Sequence, residues 1–371
     1  MQKYYSIRNV LNQIPDAQYY VIFGERSNGK TYSTLDYMLE RYFKCGEEMA
    51  IIRRYKEDLK GKNGAQMFAS LVNNKLIEKY SRGQWNGIYY YSQRWYFIYK
   101  NPENPNDVKK ADEPFCYGFA LTDMEHDKSI SFPNVCNILF DEYMARSYLT
   151  DEFVLFVNVL STIIRDRNNV KIFMCGNTIN KYCPYYKEMG LKNIDKMEKG
   201  KIDVYQYGNS KLKVAVEYSD FPAKKKPSDV YFAFDNPKLK MITKGEWEIG
   251  IYPRMTLDMK YAPKHVKYHY FIQFQDQTLM CEIVKKEQYL FTFIHFKTTP
   301  IKENDKSIVY NPKQSGLPNY RRRIIKPVTK IEQKILWFFN NEKVFYASNE
   351  VGEIVRNYFQ WCKLATMEET M

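Results

Sequence analysis

One motif near the N-terminus constrains the fold of this chain more than any other feature. Residues 24–31 read GERSNGKT and match the pattern GxxxxGK[ST]. The apolar run YYVIFG precedes the motif, and a segment with helical spacing, TYSTLDYMLERYF, follows its last residues. Glycines let backbone N–H groups turn toward phosphate oxygens, and a helix that starts there points the positive end of its dipole at the same place. The sequence therefore predicts a strand, a phosphate-binding loop and a helix.

The motif predicts a nucleotide site with ATP and Mg²⁺ as cofactors. Lys30 is expected to reach the β- and γ-phosphates, and the Thr31 hydroxyl is expected to hold Mg²⁺. Arg53, which ends the next predicted strand, is a further candidate for phosphate contact, although a surface salt bridge would explain it equally well. The predicted nucleotide-binding residues are Gly24, Glu25, Arg26, Ser27, Asn28, Gly29, Lys30, Thr31 and Arg53.

A pair of acids follows a second apolar run, VCNILF. Taken alone, Asp141 and Glu142 would be an ordinary strand end. Behind a phosphate loop they resemble a Walker B element, in which Asp141 binds the Mg²⁺ shell and Glu142 polarises the attacking water as general base. A carboxylate in that position favours a nucleotide hydrolase over a kinase or a slow switch.

Two other residues are candidates for catalysis. Asn177 follows the apolar run KIFMCG and is placed to sense the γ-phosphate or the attacking water, although a turn or helix-capping role is equally compatible. Arg165, like Arg167, follows a helical stretch and could emerge at a subunit edge as an arginine finger. A solvated ion pair is the alternative for either arginine.

The pattern along the chain predicts an α/β fold with a mostly parallel sheet, because strands and helices alternate over the first half. We expect the P-loop ATPase domain at residues 1–205 and a linker at 206–250, where FPAKKKPSDV and DNPKLK break any period. Residues 251–371 then form a second domain. It contains an antiparallel meander of three strands and two helices, at about 327–340 and 349–364.

The charge balance indicates an anionic partner. The formal charge is +13 and the pI is near 9.1. These values favour a polyanionic partner, although a soluble protein that is merely rich in Lys would show them equally well. Lys56, Lys60 and Lys62 are the predicted DNA contacts; they lie in the segment KEDLKGKNG, which we expect to form a polar, basic loop. Arg321–Arg323 is a second basic run. A solvated surface is the alternative for both. The first residues contain no apolar run of signal-peptide or membrane-span length, so we expect a cytosolic protein without membrane contact.

Several motifs in one order resemble a known family. The stretches are FGERSNGKTY, AIIRRYKEDL, KSISFPNVCNILFDEY, TIIRDRNNVKIFMCGNTIN and, more faintly, VFYASNEVGEIVRNYF. They are similar to the DNA-packaging ATPases of small short-tailed, phi-29-like bacteriophages (Picovirinae), which are related to terminase large subunits. The resemblance implies an ASCE-type ATPase domain, a linker and an RNase H-like domain that has lost nuclease activity. It also implies that Arg165 is a trans-acting finger and that Lys128 reaches a neighbouring subunit's nucleotide.

The same resemblance implies a motor that translocates double-stranded DNA into a viral procapsid. Its partners would be the DNA, the portal of the procapsid and other copies in a ring, typically a pentamer, with a scaffold RNA left open; its place would be the cytoplasm of the infected host. We expect no cleavage, because Asp276, Glu282 and Glu287 do not read as a two-metal cluster. Two alternatives stay open at this point: a cellular ASCE helicase or translocase, and a nucleotide-gated DNA- or RNA-binding module.

Overall fold

Alternating buried strands and helices build the first of two units. The computed structural model describes residues 4–104, 106–123, 130–149, 151–220, 247, 250–313 and 315–364. The chain divides into one unit of residues 1–146 and 151–248 and another of residues 147–150 and 249–371. Within the described residues, no helix combines the length and the apolar character that a membrane span requires.

The first unit contains one large, mostly parallel sheet. Its strands are β1 (Tyr19–Gly24), β2 (Glu48–Arg53), β3 (Gly87–Tyr91), β4 (Arg94–Lys100), β5 (Val108–Lys110), β6 (Cys116–Ala120), β7 (Val135–Asp141), β8 (Lys171–Asn177), β9 (Ile202–Gln206) and β10 (Lys213–Ser219). The order across the sheet is β3-β4-β6-β2-β7-β8-β1-β10-β9, and β5 pairs with β4. The central strands are parallel and β3, β4, β5 and β9 pair antiparallel at the edges. The predicted α/β class with a mostly parallel sheet is confirmed.

Helices connect these strands. They are α1 (Arg8–Gln13), α2 (Lys30–Cys45), α3 (Gly61–Gln66), α4 (Ala69–Asn73), α5 (Leu76–Ser81), α6 (Glu152–Ile164) and α7 (Pro184–Glu188), with 3-10 turns at Lys56–Leu59 and Ile194–Lys196. The central strands are buried along their length, which explains their continuous apolar runs in the sequence. Helix α2 ends at Gly46, which has φ 71° and closes the helix in the left-handed conformation, as its glycine predicts.

Two local predictions differ from the structure. The segment 56–64, expected as a loop, forms the 3-10 turn and most of α3, because Leu59 and Gly64 are buried and anchor the polar residues around them. Strand β10 pairs in parallel with β1, so the first sheet continues beyond residue 205, where the predicted ATPase domain ended. Residues 221–246 of the expected linker lie outside the described residues.

The second unit is built on a separate sheet. Its strands are β11 (Val266–Phe274), β12 (Gln277–Lys286), β13 (Tyr289–Phe296), β14 (Val309–Tyr310), β15 (Tyr320–Arg321) and β16 (Val344–Tyr346), in the order β15-β14-β11-β12-β13-β16. Helices α8 (Lys330–Asn340) and α9 (Asn349–Leu364) follow, with 3-10 turns at Leu257–Met259 and Pro263–His265. The predicted meander, β11 to β13, and both predicted helices are confirmed.

Candidate nucleotide site

The phosphate loop joins β1 to α2 and depends on two glycines. Gly29 caps α2 with φ 97°, a conformation that other residues adopt only with strain. Gly24 has φ 152°, and a Cβ there would lie 2.2 Å from the Ser219 hydroxyl oxygen on β10. A larger residue at either position would force the loop away from its neighbours.

Lys30 lies at the centre of the loop and is almost fully buried. Its Nζ donates to the Glu25 carbonyl at 2.6 Å, to Asn28 Oδ1 at 3.1 Å and to Asn177 Oδ1 at 3.4 Å. Burial lowers the pKa of Lys30 to about 8, although Asp141 and Glu25 favour its charged form. An anion bound beside Lys30 would therefore stabilise the charged form of the buried amine.

The two predicted Walker B acids lie beside this loop. The Thr31 hydroxyl donates to Asp141 Oδ1 at 2.6 Å, which places both expected Mg²⁺ ligands together. Asp141 is buried, and burial raises its pKa above the usual range despite its contacts with Arg53 and Thr31. A hydroxyl and a buried carboxylate are oxygen ligands of the kind that Mg²⁺ accepts beside phosphate, so these residues fit the ion.

Arg53 connects both acids. Its guanidinium donates to Asp141 Oδ2 at 2.7 Å and to Glu142 Oε2 at 2.9 Å. Glu142 keeps 59% of its side chain exposed, so it can still meet water. Arg53 thus forms hydrogen bonds with both acids, and its contact with phosphate stays a prediction.

A cavity of about 300 Å³ lies between the loop and the ends of β7 and β8. It brings together most of the predicted site: Arg26, Ser27, Asn28, Gly29, Lys30, Thr31, Asp141, Glu142 and Asn177. Tyr32, Cys175 and Gly176 also line it, and the sequence analysis did not single them out. Because parallel strands end at one edge of the sheet, residues from three separate motifs meet here.

The predicted trans-acting finger, Arg165, is not among the described residues that line this cavity. Arg165 follows α6 and its Nη2 donates to the Ile130 carbonyl at 3.0 Å. Arg167 instead donates to carbonyls of residues 132, 133, 135, 163 and 164, so it has a structural role. Lys128 lies outside the described residues.

The predicted DNA-binding lysines differ in how they are held. Lys56 pairs with Asp123, and Lys60 pairs with Glu57 at 3.2 Å. Lys62 is exposed and has no ion pair within the described part of the chain. In the second basic run Arg321 pairs with the buried Glu332 at 2.7 Å. The structure therefore favours Lys62 as the most available of these cations, while DNA contact by any of them stays a prediction.

Sequence reasoning missed the contacts that support the site from behind. Asn28 Nδ2 donates to Ser219 Oγ at 2.9 Å, and the Tyr5 backbone N–H donates to the Asn28 carbonyl at 3.1 Å. Arg54, adjacent in sequence to Arg53, is buried against Glu152. No local pattern marks these partners, because they lie on different strands and helices.

Comparison with known proteins places this geometry in context. Residues 111–228 match the family model described as the Podovirus DNA encapsidation protein (Gp16). The predicted resemblance is confirmed. The DNA packaging protein of Bacillus phage phi29 is 25% identical over 169 residues, which are 44% of this chain and 44% of that protein. The matched stretch thus spans less than half the length of this curated relative.

Two solved structures share the fold over nearly the whole chain. The bacteriophage Phi-29 viral genome packaging motor assembly has a TM-score of 0.57 at 17% identity, covering 97% of this chain and 100% of that one. The Phi-28 gp11 DNA packaging motor has a TM-score of 0.53 at 17% identity, covering 98% of each chain. At this identity the likeness is one of fold, and it includes both units of this chain.

Proposed function

We propose that this chain is an ATP-driven motor that translocates double-stranded DNA into a viral procapsid. The observation that carries the proposal is the convergence of Lys30, Thr31, Asp141 and Glu142 on one cavity. A phosphate loop alone is compatible with many activities, so the similarity to phage DNA packaging proteins is the reason to propose DNA as the substrate.

The chemistry assigned to the cavity is hydrolysis of ATP. Backbone N–H groups of residues 26–30 and the Lys30 amine bind the phosphates, and Thr31 and Asp141 hold Mg²⁺, which neutralises charge on the phosphate oxygens when bound. Glu142 orients and deprotonates the attacking water, since it is the exposed acid of the pair. Asn177 contacts Lys30 and is positioned to respond to the terminal phosphate.

The site is completed by neighbouring copies. Arg165 is not among the described residues that line the cavity of its own chain, which suits an arginine that acts on the next subunit in a ring. We extend the same assignment to Lys128, and we propose a pentamer docked on the procapsid portal in the host cytoplasm. Whether a scaffold RNA takes part is left to experiment.

DNA would contact the motor through its phosphates. The net charge of +13 and the exposed Lys62, with Lys60 nearby, support backbone contact without base readout. Lys56 would have to exchange Asp123 for a phosphate.

We further propose that residues 1–220 form an ASCE-type ATPase domain and that the second unit is a vestigial RNase H-like domain without nuclease activity. In the described residues no group of three or more His, Cys, Asp or Glu side chains is arranged to hold a metal ion. A two-metal nuclease needs such a group.

The test is ATP turnover with added DNA and procapsids. The proposal expects DNA to stimulate hydrolysis and purified procapsids to raise it further. Unwinding of duplexes without any capsid effect would favour a cellular helicase or translocase instead. Binding of ATP without a hydrolytic single turnover would favour a nucleotide-gated DNA- or RNA-binding module.

A further inference from the structure

The backbone that carries Glu142 adopts an unusual conformation. Glu142 has φ 57°, in the left-handed region that residues with a Cβ rarely occupy. The residue directly follows β7, so this turn decides where its carboxylate points. Such conformations persist only where neighbouring groups hold them.

Arg54 supplies that support. Its Nη1 donates to the Glu142 carbonyl at 3.1 Å and its Nη2 to the Tyr143 carbonyl at 2.7 Å. The same guanidinium donates through Nε and Nη2 to both oxygens of Glu152, each at 2.8 Å. One side chain from the end of β2 therefore binds both peptide units that follow β7.

The whole group is buried. Arg54 is 7% exposed and Glu152 is 1% exposed, and the Tyr185 hydroxyl donates to Glu152 at 2.7 Å. Arg54 is thus unavailable to phosphate. A buried guanidinium with two carboxylate oxygens and two carbonyl oxygens as acceptors is fixed in orientation, because four of its five N–H donors are directed within one plane.

Helix α6 begins at Glu152 and ends one residue before Arg165. Its 13 residues span roughly 20 Å at the rise of an α-helix. Helix α6 therefore connects Glu152, which anchors Arg54 behind the proposed general base, to Arg165, which is proposed to act on the neighbouring subunit.

We propose that Arg54, anchored by Glu152, is a positioning residue that holds Glu142 in the orientation for activating water. The inference rests on the proposed ATPase function and adds a role to residues outside the motifs. The Arg54–Glu152 pair sets the turn after β7, and neither residue is in the described lining of the cavity. Its loss is expected to slow hydrolysis without weakening nucleotide binding.

The test replaces the pair without leaving a buried charge. Removing Arg54 alone would strand Glu152 and risk unfolding, whereas apolar replacement of both partners often preserves the fold. The variant is Arg54→Met, Glu152→Leu and Tyr185→Phe together, since the tyrosine hydroxyl loses its acceptor. Arg41→Met with Glu47→Gln is the matched control, because Arg41 donates through two nitrogens to both carboxylate oxygens of Glu47 in the same unit, and neither residue is in the described lining of the cavity.

The full chain is measured for kcat and for the Kd of a slowly hydrolysed ATP analogue, in the wild-type and Glu142→Gln backgrounds. We expect the triple variant to lower kcat about 10- to 100-fold with an unchanged Kd, and to add less than about twofold in the Glu142→Gln background. The control variant is expected to keep wild-type kcat.

Three results would overturn the inference: wild-type kcat in the triple variant, loss of analogue binding, or an equal fall of the residual rate when Glu142 is already Gln. A Glu142→Gln chain that hydrolyses ATP at the wild-type rate is a different failure, because it would remove the proposed general base itself.

Discussion

Each unit carries a cluster of ionisable side chains on its sheet. The cluster of the first unit surrounds a cavity, whereas the groups of the second cluster pair with one another. At the first sheet, Lys30, Asp141 and Glu142 come from the ends of parallel strands and surround a cavity of about 300 Å³. Glu142 remains largely exposed, and the three acceptors of Lys30 Nζ among the described residues are neutral oxygens. This cluster is arranged to receive a ligand.

On the second sheet the ionisable groups pair with one another. His269 Nε2 lies 3.0 Å from Asp305 Oδ2 and 3.0 Å from the Ser307 hydroxyl. Glu282 accepts from the Tyr261 hydroxyl at 2.5 Å and lies 3.4 Å from His295 Nε2. The groups satisfy each other, so they stabilise the strands that carry them.

The contrast shows why a list of acids and bases does not define an active site. Glu282 and Asp305 are carboxylates beside imidazoles, yet each is already committed to a partner. Asp141 and Glu142 share one arginine, Arg53, and border the cavity. Position beside a cavity, more than residue type, marks the proposed catalytic cluster.

The largest expected effect comes from the first cluster. Lys30→Ala and Glu142→Gln are each expected to lower DNA-stimulated ATP hydrolysis by about 100-fold or more, since one removes phosphate binding and the other the general base. Glu142→Gln should still bind the nucleotide, whereas Lys30→Ala should bind it weakly. Turnover near the wild-type rate in both variants would show that the first cluster is no more catalytic than the second.

A second prediction uses the pKa of Lys30, which burial lowers to about 8. Below that pH the amine is charged and binds phosphate; as pH rises through 8 the free protein loses the charge, and a bound anion must restore it. Nucleotide affinity is therefore expected to fall up to about tenfold per pH unit above 8. Titrations at several pH values measure it, and Lys30→Arg should flatten the slope.

Changing the second cluster should affect stability and leave catalysis intact. Glu282→Gln removes the charge that pairs with His295, and it is expected to lower the free energy of unfolding by about 1–2 kcal/mol. Urea unfolding of the full chain measures the loss, and ATP turnover should equal that of the wild type. A large fall in turnover at unchanged stability would assign a catalytic role to this cluster.

The smallest expected effect is the pH response of His295. Its partner Glu282 raises its pKa above the usual 6.5, so the stabilisation is complete below pH 6.5 and is lost as pH rises through the raised value. We expect less than about 1 kcal/mol for this partly exposed pair. Unfolding at pH 6 and pH 8.5 measures it, and a slope that persists in Glu282→Gln would exclude His295 as its source.

The sequence predicted those parts of the site that depend on local pattern. Lys30 and Thr31 follow from a motif of eight residues, and Asp141 and Glu142 from an apolar run that ends in two acids. The parallel sheet followed from the alternation of strands and helices, and its geometry then brought these residues together.

The remaining features depend on pairing between distant segments. Arg54 and Glu152 are 98 positions apart, and Asn28 and Ser219 are 191 apart, so no local pattern connects them. Strand β6 was missed because CYGFA is short and contains a glycine. The predicted ATPase domain ended at residue 205, before β10, whose pairing with β1 is a contact of the tertiary fold.

The central claim is that a triphosphate occupies the cavity beside Lys30 with Glu142 directed at the attacking water. A structure of the Glu142→Gln variant with ATP and Mg²⁺ tests it most directly. The account predicts Lys30 Nζ on the phosphates in place of the Glu25 carbonyl, with Thr31 and Asp141 at the metal. Nucleotide bound elsewhere, or a phosphate loop closed around Lys30 as it is without ligand, would contradict it.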